Sequence, residues 1–306
     1  MMRAMPATPD NMKVFDRALH ARHRARAAAN FANHDFLLTR VAEDMADRLA
    51  IITRNFSSAL DLGAHHGVIS RMIPLMTPDK IGHVVTADLS PAMLAQATGP
   101  RVCADEEQLP FADRSFDLVL SALSLHWVND LPGALIQIRR ALVPDGLFMG
   151  AMFGGETLTE LRQALTEAEI ECEGGLSPRV SPFADLRDMG GLMQRAGFAL
   201  PVVDSDRVTV NYGNPLRLMA ELRGMGETNA LIERRRTPMR RSTLMRAAEI
   251  YSKKFGLPDG RVPATFEIVM LAGWSPHESQ QKPLKPGSAE TKLADVLGTT
   301  EHKAPR

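Results

Sequence analysis

Between residues 57 and 155 short apolar runs alternate with helix-like segments, and no other feature limits the fold as far. "SSALDLG" (57–63) spells a buried strand that closes on a glycine turn. "GHVVTADLS" (82–90) spells a second, stopped by Ser90-Pro91 as helix cap and first helical residue. "RVCAD" (101–105) and "RSFDLVLSALSLHW" (114–127) supply a third and a fourth. After a helix over about 132–142, the turn "VPDG" (143–146) leads into a fifth strand, "LFMGAMF" (147–153). Strands separated by helices pair in parallel, and their crossovers cover both faces of the sheet. An α/β, doubly wound architecture follows.

Either side of this block the pattern is helical. Leu37, Val41, Met45 and Leu49 stand four apart over 36–52, which draws one apolar stripe on a helix with Asp35 placed to cap it. Beyond Gly155, helices are expected over 157–172 and 183–196, then a strand over 201–212. Two further helices, about 215–225 and 238–255, precede a last strand over 264–274. The organisation is thus a basic N-terminal helical arm (1–35), one domain (36–274) with a helical insertion at about 213–256, and a disordered tail (275–306) poor in apolar period.

Charge and cysteine content narrow the function. Thirty-six basic residues balance 36 acidic ones, so no overall field favours nucleic acid. Cys103 and Cys172 lack the spacing of a zinc site and are too few for a disulfide framework, which suits a reducing compartment. No apolar run of about 18 residues marks a membrane span, leaving peripheral membrane association open. The Arg-rich segment 12–31 is taken as an arm of the mature protein, with a mitochondrial transit peptide as the alternative. The expected compartment is the cytoplasm, or the mitochondrial matrix in a eukaryote.

In open α/β sheets ligands bind at the C-terminal strand ends, and here three successive strands end in acids. Asp61 stands at the first, Asp88 at the second, and Asp105 at the third. Asp88 lies about 20 residues beyond the first glycine loop, the distance at which an acid receives ribose hydroxyls, and it equally suits a capping role beside Ser90. The loop itself, "DLGAHHG" (61–67), carries Gly63 and Gly67 but sets His65 where such loops have a glycine. If that backbone needs positive φ, a side chain there costs about 1–2 kcal/mol, with histidine among the better tolerated residues.

The series "ALDLGAHHG", "VVTADLS", "CADEEQLPFADRSFDLVLSALSLHWV" and "VPDGLFMGAMFG" resembles the class I S-adenosylmethionine-dependent methyltransferases. "VFDRALHARHRARAA", "FGGETLTELRQAL", "VNYGNPLRLMAELRGMGETNA" and "VPATFEIVMLAGWSPHESQ" extend the likeness over nearly all of residues 12–281. Those stretches resemble the mitochondrial complex I assembly-factor methyltransferase-like family, and the chain is also similar to the biotin-pathway methyltransferase that esterifies malonyl groups on acyl carrier protein. The resemblance implies a seven-stranded, Rossmann-like, mostly parallel sheet with the last strand antiparallel, and S-adenosylmethionine as cofactor. By motif, Asp61, Gly63 and Gly67 would line the methionine end beside His65, and Asp88 the ribose. Asp105 with Glu106 would line the adenine edge, while Ser121 and Leu123 would sit beneath the transferable methyl. It also implies a protein substrate, a complex I subunit or acyl carrier protein, and leaves three alternatives: arginine hydroxylation, malonyl carrier-protein methylation, or a non-catalytic assembly role.

On the acceptor side, His126 is placed to act as a base and Trp127 as a platform for substrate. Both also suit a purely structural role. Hydroxylation would need a centre such as iron held by two histidines and a carboxylate. No such pattern stands out: His20, His23 and His34-Asp35 are expected to be solvated on the arm, and no metal is expected. "GGETL" (154–158) and "RGMGETN" (223–229) set glycines beside acids, a pairing suited to a guanidinium or to a plain turn. Six arginines in "ERRRTPMRRSTLMR" (233–246) would dock an acidic partner or cover a solvated face.

Overall fold

In a computed structural model, which describes residues 13–183, 186–281, 291 and 293–299, seven strands form one sheet in the order β3-β2-β1-β4-β5-β7-β6. They are β1 (Phe56–Leu62), β2 (Ile81–Asp88), β3 (Arg101–Cys103), β4 (Phe116–Ala122), β5 (Leu142–Phe153), β6 (Ala199–Tyr212) and β7 (Val262–Trp274). The first five are mutually parallel; β7 inserts antiparallel between β5 and β6. Strand order reverses between β1 and β4, which opens a crevice at the C-terminal ends there.

Side chains alternate between two cores, as a period of two demands. Leu118, Leu120 and Ala122 of β4 join one face, while Val119 joins the other. Both sets are apolar because both faces are covered. Helices α2 (Phe36–Ile51), α3 (Val68–Met76), α6 (Thr159–Glu173), α8 (Pro215–Gly224) and α9 (Arg241–Phe255) contribute to the first core. Helices α5 (Leu131–Ala141) and α7 (Leu186–Arg195) contribute to the second. Four residues, Pro91–Leu94, make the short helix α4 after β2, capped by Ser90 as the sequence implies.

The structure departs from the sequence reading in several places. Asp35 makes no capping bond to α2; its carboxylate Oδ2 meets His66 Nε2 at 3.0 Å instead. Strand β5 starts at Leu142, ahead of the expected turn, with a register shift against β4 and Asp145 at φ 63°. The arm forms α1 (Arg17–Ala28), but it is not solvated: His20, His23 and Arg24 are buried. Asp16 caps it, accepting from Leu19 N at 2.9 Å, while Asn129 Oδ1 accepts from Val14 N and Phe15 N at 2.8 and 2.7 Å. In the arginine run, Arg234 meets Asp16, Arg235 meets Glu173 and Arg246 meets Glu171, so part of that charge is spent within the chain. Within the expected disordered tail, Leu293–Leu297 form a helix, α10. Residues 1–12 of the arm, and 282–290, 292 and 300–306 of the tail, lie outside the described residues. Among the described residues no helix is long and apolar enough to cross a membrane.

Two residues on α2 test how far the apolar stripe carries the domain. Leu49 is fully buried and Ile51, two residues on, is 83% exposed. Leu49→Ala is expected to lower unfolding free energy by about 2–5 kcal/mol. Ile51→Ala should stay within about 0.5 kcal/mol of the parent. Urea denaturation of both variants checks this, and equal losses would contradict it.

Candidate cofactor and acceptor site

The glycine loop follows directly from β1. Gly63 lies at φ +67° and Gly67 at φ +78°, which a Cβ resists. At Gly63 a Cβ would also stand 2.2 Å from Ser124 Oγ, so no other residue fits without rearrangement. His65 does adopt positive φ, 53°. Its imidazole turns inward, with Nε2 3.2 Å from the carbonyl oxygen of Ala122, and stacks on Phe31 at 5.2 Å. Burial, then the nearby Arg24 guanidinium, holds it well below the usual histidine range, so it is neutral.

The strand-end acids converge as the spacing implies, though not all to the same degree. Asp61 is fully buried; Oδ2 accepts from Ser70 N at 3.1 Å, and Oδ1 has no partner among the described residues. Burial pushes its pKa up to about 7. Asp88 is equally buried, and its oxygens accept from Ser90 N at 2.7 Å and His65 N at 2.8 Å and from Arg24 Nη2. Burial raises it, and Arg24 opposes that. Glu106 receives Arg17 Nη2 and Ser124 Oγ; burial alone would raise it, but the guanidiniums of Arg17 and Arg24 hold it below the usual range. Asp105 sits at the rim with a side chain 31% exposed, 2.7 Å from Arg17 Nη2. Ser121 is fully buried with Oγ unpartnered, and Leu123, at φ 49°, lines a small cavity with His65 and Phe31.

Arg17, His20 and Arg24 were not anticipated as site residues, yet all three belong to it. They stand three and four apart on α1, hence on one helix face, and that face lies over the strand ends. The spacing was visible, but α1 lacks an apolar stripe to mark the face as buried. His20 stacks on Trp127 at 4.5 Å with both ring nitrogens unpartnered. Burial, then Arg24 and Arg17, keeps it neutral. His126 and Trp127 are buried in a 3-10 turn after β4. Both meet Glu227, which comes from the second of the glycine-and-acid stretches. The acid of the first, Glu156, is exposed and faces Arg207 at 3.6 Å, away from the site.

This donor set fits a sulfonium nucleoside. Diols and amines are hydrogen-bond donors, and the strand ends offer the acceptor carboxylates Asp61, Asp88 and Glu106, with Asp61 Oδ1 and Ser121 Oγ as buried atoms awaiting partners. Arg24 lies on Asp88 and Arg17 on Glu106, so a ligand that used those carboxylates would take over those contacts.

Sheet order and glycine loop together define a class I methyltransferase fold. A family profile described as a methyltransferase domain matches residues 60–150. A methyltransferase-like structure from Bacillus halodurans superposes with a TM-score of 0.53 at 16% identity, over 76% of this chain and 98% of that one. The S-adenosylmethionine complex of phosphoethanolamine N-methyltransferase 2 from Haemonchus contortus gives 0.51 at 17% identity, over 82% and 57%. The protein is an S-adenosylmethionine-dependent methyltransferase by fold and family. More narrowly, it belongs to the family of the proteins named arginine-hydroxylase NDUFAF5, mitochondrial. It is 44% identical to that of Danio rerio, over 93% of this chain and 90% of the relative, and 43% identical to that of Homo sapiens, over 94% and 85%. It is also 37% identical to the malonyl-[acyl-carrier protein] O-methyltransferase of Halorhodospira halophila, over 87% and 90%.

Two outcomes follow from the site's electrostatics. Arg24→Met leaves Asp88 buried without a cation and is expected to cost about 3–5 kcal/mol of stability. Adding Asp88→Asn should recover much of it in a double-mutant cycle. A single-variant loss below about 1 kcal/mol would show the pair to be unimportant. Asp61, raised from 3.8 to about 7, holds more protons folded than unfolded, so its contribution to stability declines as pH rises through that interval. Between pH 5 and pH 8, Asp61→Asn should therefore gain about 2–3 kcal/mol relative to the parent. Denaturation at both pH values measures it, and a constant difference would refute the shift.

Proposed function

We propose that this protein methylates a side chain of a protein substrate in a role tied to respiratory complex I assembly. The observation that carries the reading is an aromatic cleft that shares Phe153 and Glu227 with the small cavity lined by Leu123. Beyond the strand-end carboxylates, Trp127, Phe153, Phe183 and Phe266 wall an open cleft. The relatives named malonyl-[acyl-carrier protein] O-methyltransferase carry a protein-borne acceptor in their name. Candidate partners are a complex I subunit and acyl carrier protein.

In this reading Asp88 holds the ribose, Glu106 with Asp105 the adenine edge, and the 63–67 loop the methionine end. S-adenosylmethionine supplies an electrophilic methyl. The protein's own share is alignment: a buried, rigid strand end on one side and an aromatic wall on the other bring donor and acceptor into line. Ser121 in β4 and Leu123, just past its end at φ 49°, form the floor between them. Arginine hydroxylation is the second reading, favoured by the 44% identity to proteins of that name. It consumes no methyl group, which separates the two.

Calorimetric titration with S-adenosylmethionine and S-adenosylhomocysteine is the first test. Micromolar binding is expected, weakened about tenfold or more by Asp88→Ala, which removes two charge-assisted bonds. Absence of binding by the parent, restored by His65→Gly, would mean that the site has decayed and that a non-catalytic assembly role should replace this reading. Incubation with an acceptor protein should release S-adenosylhomocysteine; a mass gain of one oxygen without it would establish hydroxylation instead.

A further inference from the structure

Between Asp16 and Asp35 the chain carries four arginines and three histidines and no acid. Helix α1 sorts most of them by face. His20, His23 and Arg24 are buried and Arg17 reaches the strand-end acids, while Ala18, Arg22, Ala25, Arg26 and Ala29 are exposed. Arg223, at the end of α8, extends this outward strip, because the turn after α8 packs directly on α1. Gly226 in that turn lies at φ +82°, and a Cβ on it would stand 3.5 Å from Arg24 Cα. Arg26 Nη2 donates to Thr228 Oγ1 at 3.2 Å, and His23 Nδ1 lies 3.1 Å from the Thr228 carbonyl oxygen. Burial, then the nearby Arg223 guanidinium, draws Arg26 below the usual arginine range, although an arginine remains a cation.

Like charges this close are destabilising unless acids offset them. The acids nearest in the chain are taken: Asp16 caps α1 and meets Arg234, Asp35 meets His66, and Glu221 meets His34 at 3.0 Å. Arg22, Arg26 and Arg223 make no ion pair among the described residues. Exposed arginines elsewhere do, Arg40 with Asp206 and Arg140 with Asp113. The strip also has a spacing. Arg22 and Arg26 stand one helical turn apart, with Cβ atoms about 5–6 Å from each other. An extended chain sets alternate side chains on one side about 7 Å apart, so acids at alternate positions match it. Alanines between the arginines let a backbone approach. A membrane-surface helix would carry Trp, Phe or Leu on such a face, and this one does not. The strip adjoins the aromatic cleft: Glu227 and Asn229 line the cleft, and Thr228 between them holds Arg26.

We propose that the exposed strip of α1, with the end of α8, docks an acidic extended segment of a partner protein, whose alternate carboxylates meet Arg22, Arg26 and Arg223. The inference rests on the part of the functional reading that names a protein substrate, and it is independent of the reaction and of the residue modified. A segment held here lies one turn of chain away from the cleft, so its acids flank the modified residue and are not themselves the acceptor. Guanidinium forks take carboxylates through paired hydrogen bonds, and at an exposed face such contacts set register and encounter rate more than raw affinity. Salt screens them, so docking weakens as ionic strength rises.

The probes are two blocked pentapeptides carrying an uncharged dye, Glu-Ala-Glu-Ala-Glu and Gln-Ala-Gln-Ala-Gln, titrated with the full chain and followed by fluorescence anisotropy. The acidic peptide should bind at least about tenfold more tightly than the glutamine peptide, a comparison that needs no variant. Arg26→Gln combined with Arg223→Gln should weaken the acidic peptide about tenfold or more. Arg195→Gln, at an exposed arginine of α7 on the other face of the sheet, should leave it unchanged. Both variants should keep the parent's melting temperature and S-adenosylhomocysteine affinity. Equal binding of the two peptides, binding of neither, or equal losses in the two variants would overturn the proposal. Displacement of the acidic peptide by inorganic phosphate at the same concentration would also overturn it, in favour of a simple anion site. So would binding to phosphatidylserine vesicles that the double variant abolishes while neither peptide binds. No cofactor is present in these titrations, so they and the S-adenosylmethionine titration can each fail alone.

Discussion

Arg24 and Asp88 form an ion pair with almost no access to water, and much of the site is arranged around it. Desolvating either charge alone costs several kcal/mol, so each requires the other in the free protein. Asp88 is fixed by β2 and by the amides of Ser90 and His65; Arg24 is fixed by a helix joined to the rest of the domain through Asn129 and the Phe15–Leu231 bridge. The pair thereby ties an N-terminal helix to the middle of the sheet. It also explains how a helix without an apolar face is held down.

His65 belongs to the same arrangement. A histidine at positive φ carries strain, but its amide donates to Asp88 and its ring packs between Phe31 and the Ala122 carbonyl. Those contacts offset a backbone cost of about 1–2 kcal/mol. The departure from glycine is thus absorbed structurally.

Much of the sheet was legible because parallel strands buried on both faces leave unbroken apolar runs, as in "DLVLSAL". The acids at the ends of β1 and β2 were legible for a related reason: a charged residue closing such a run is conspicuous. Arg17, His20 and Arg24 were not, because the face they form is polar and its burial depends on acids some 60–90 positions distant in the chain. Glu227 stood out only as an acid beside glycines; nothing local distinguishes it from Glu156, which the fold leaves outside. Asp35 was misassigned because a competing partner, His66, lies on a different element. Local rules name candidates; long-range pairing chooses among them.

In the proposed reading, Arg24 lying on Asp88 gives cofactor entry the character of a substitution reaction. The charge of Asp88 is balanced by a cation drawn from the chain itself. Asp88 would receive neutral ribose hydroxyls there, so a charged contact would give way to uncharged hydrogen bonds. The energetic cost of binding would then lie in relocating a guanidinium rather than in opening an acidic pocket to water. On that view α1 is a resident counter-ion, and the helix and the nucleoside are rivals for one carboxylate.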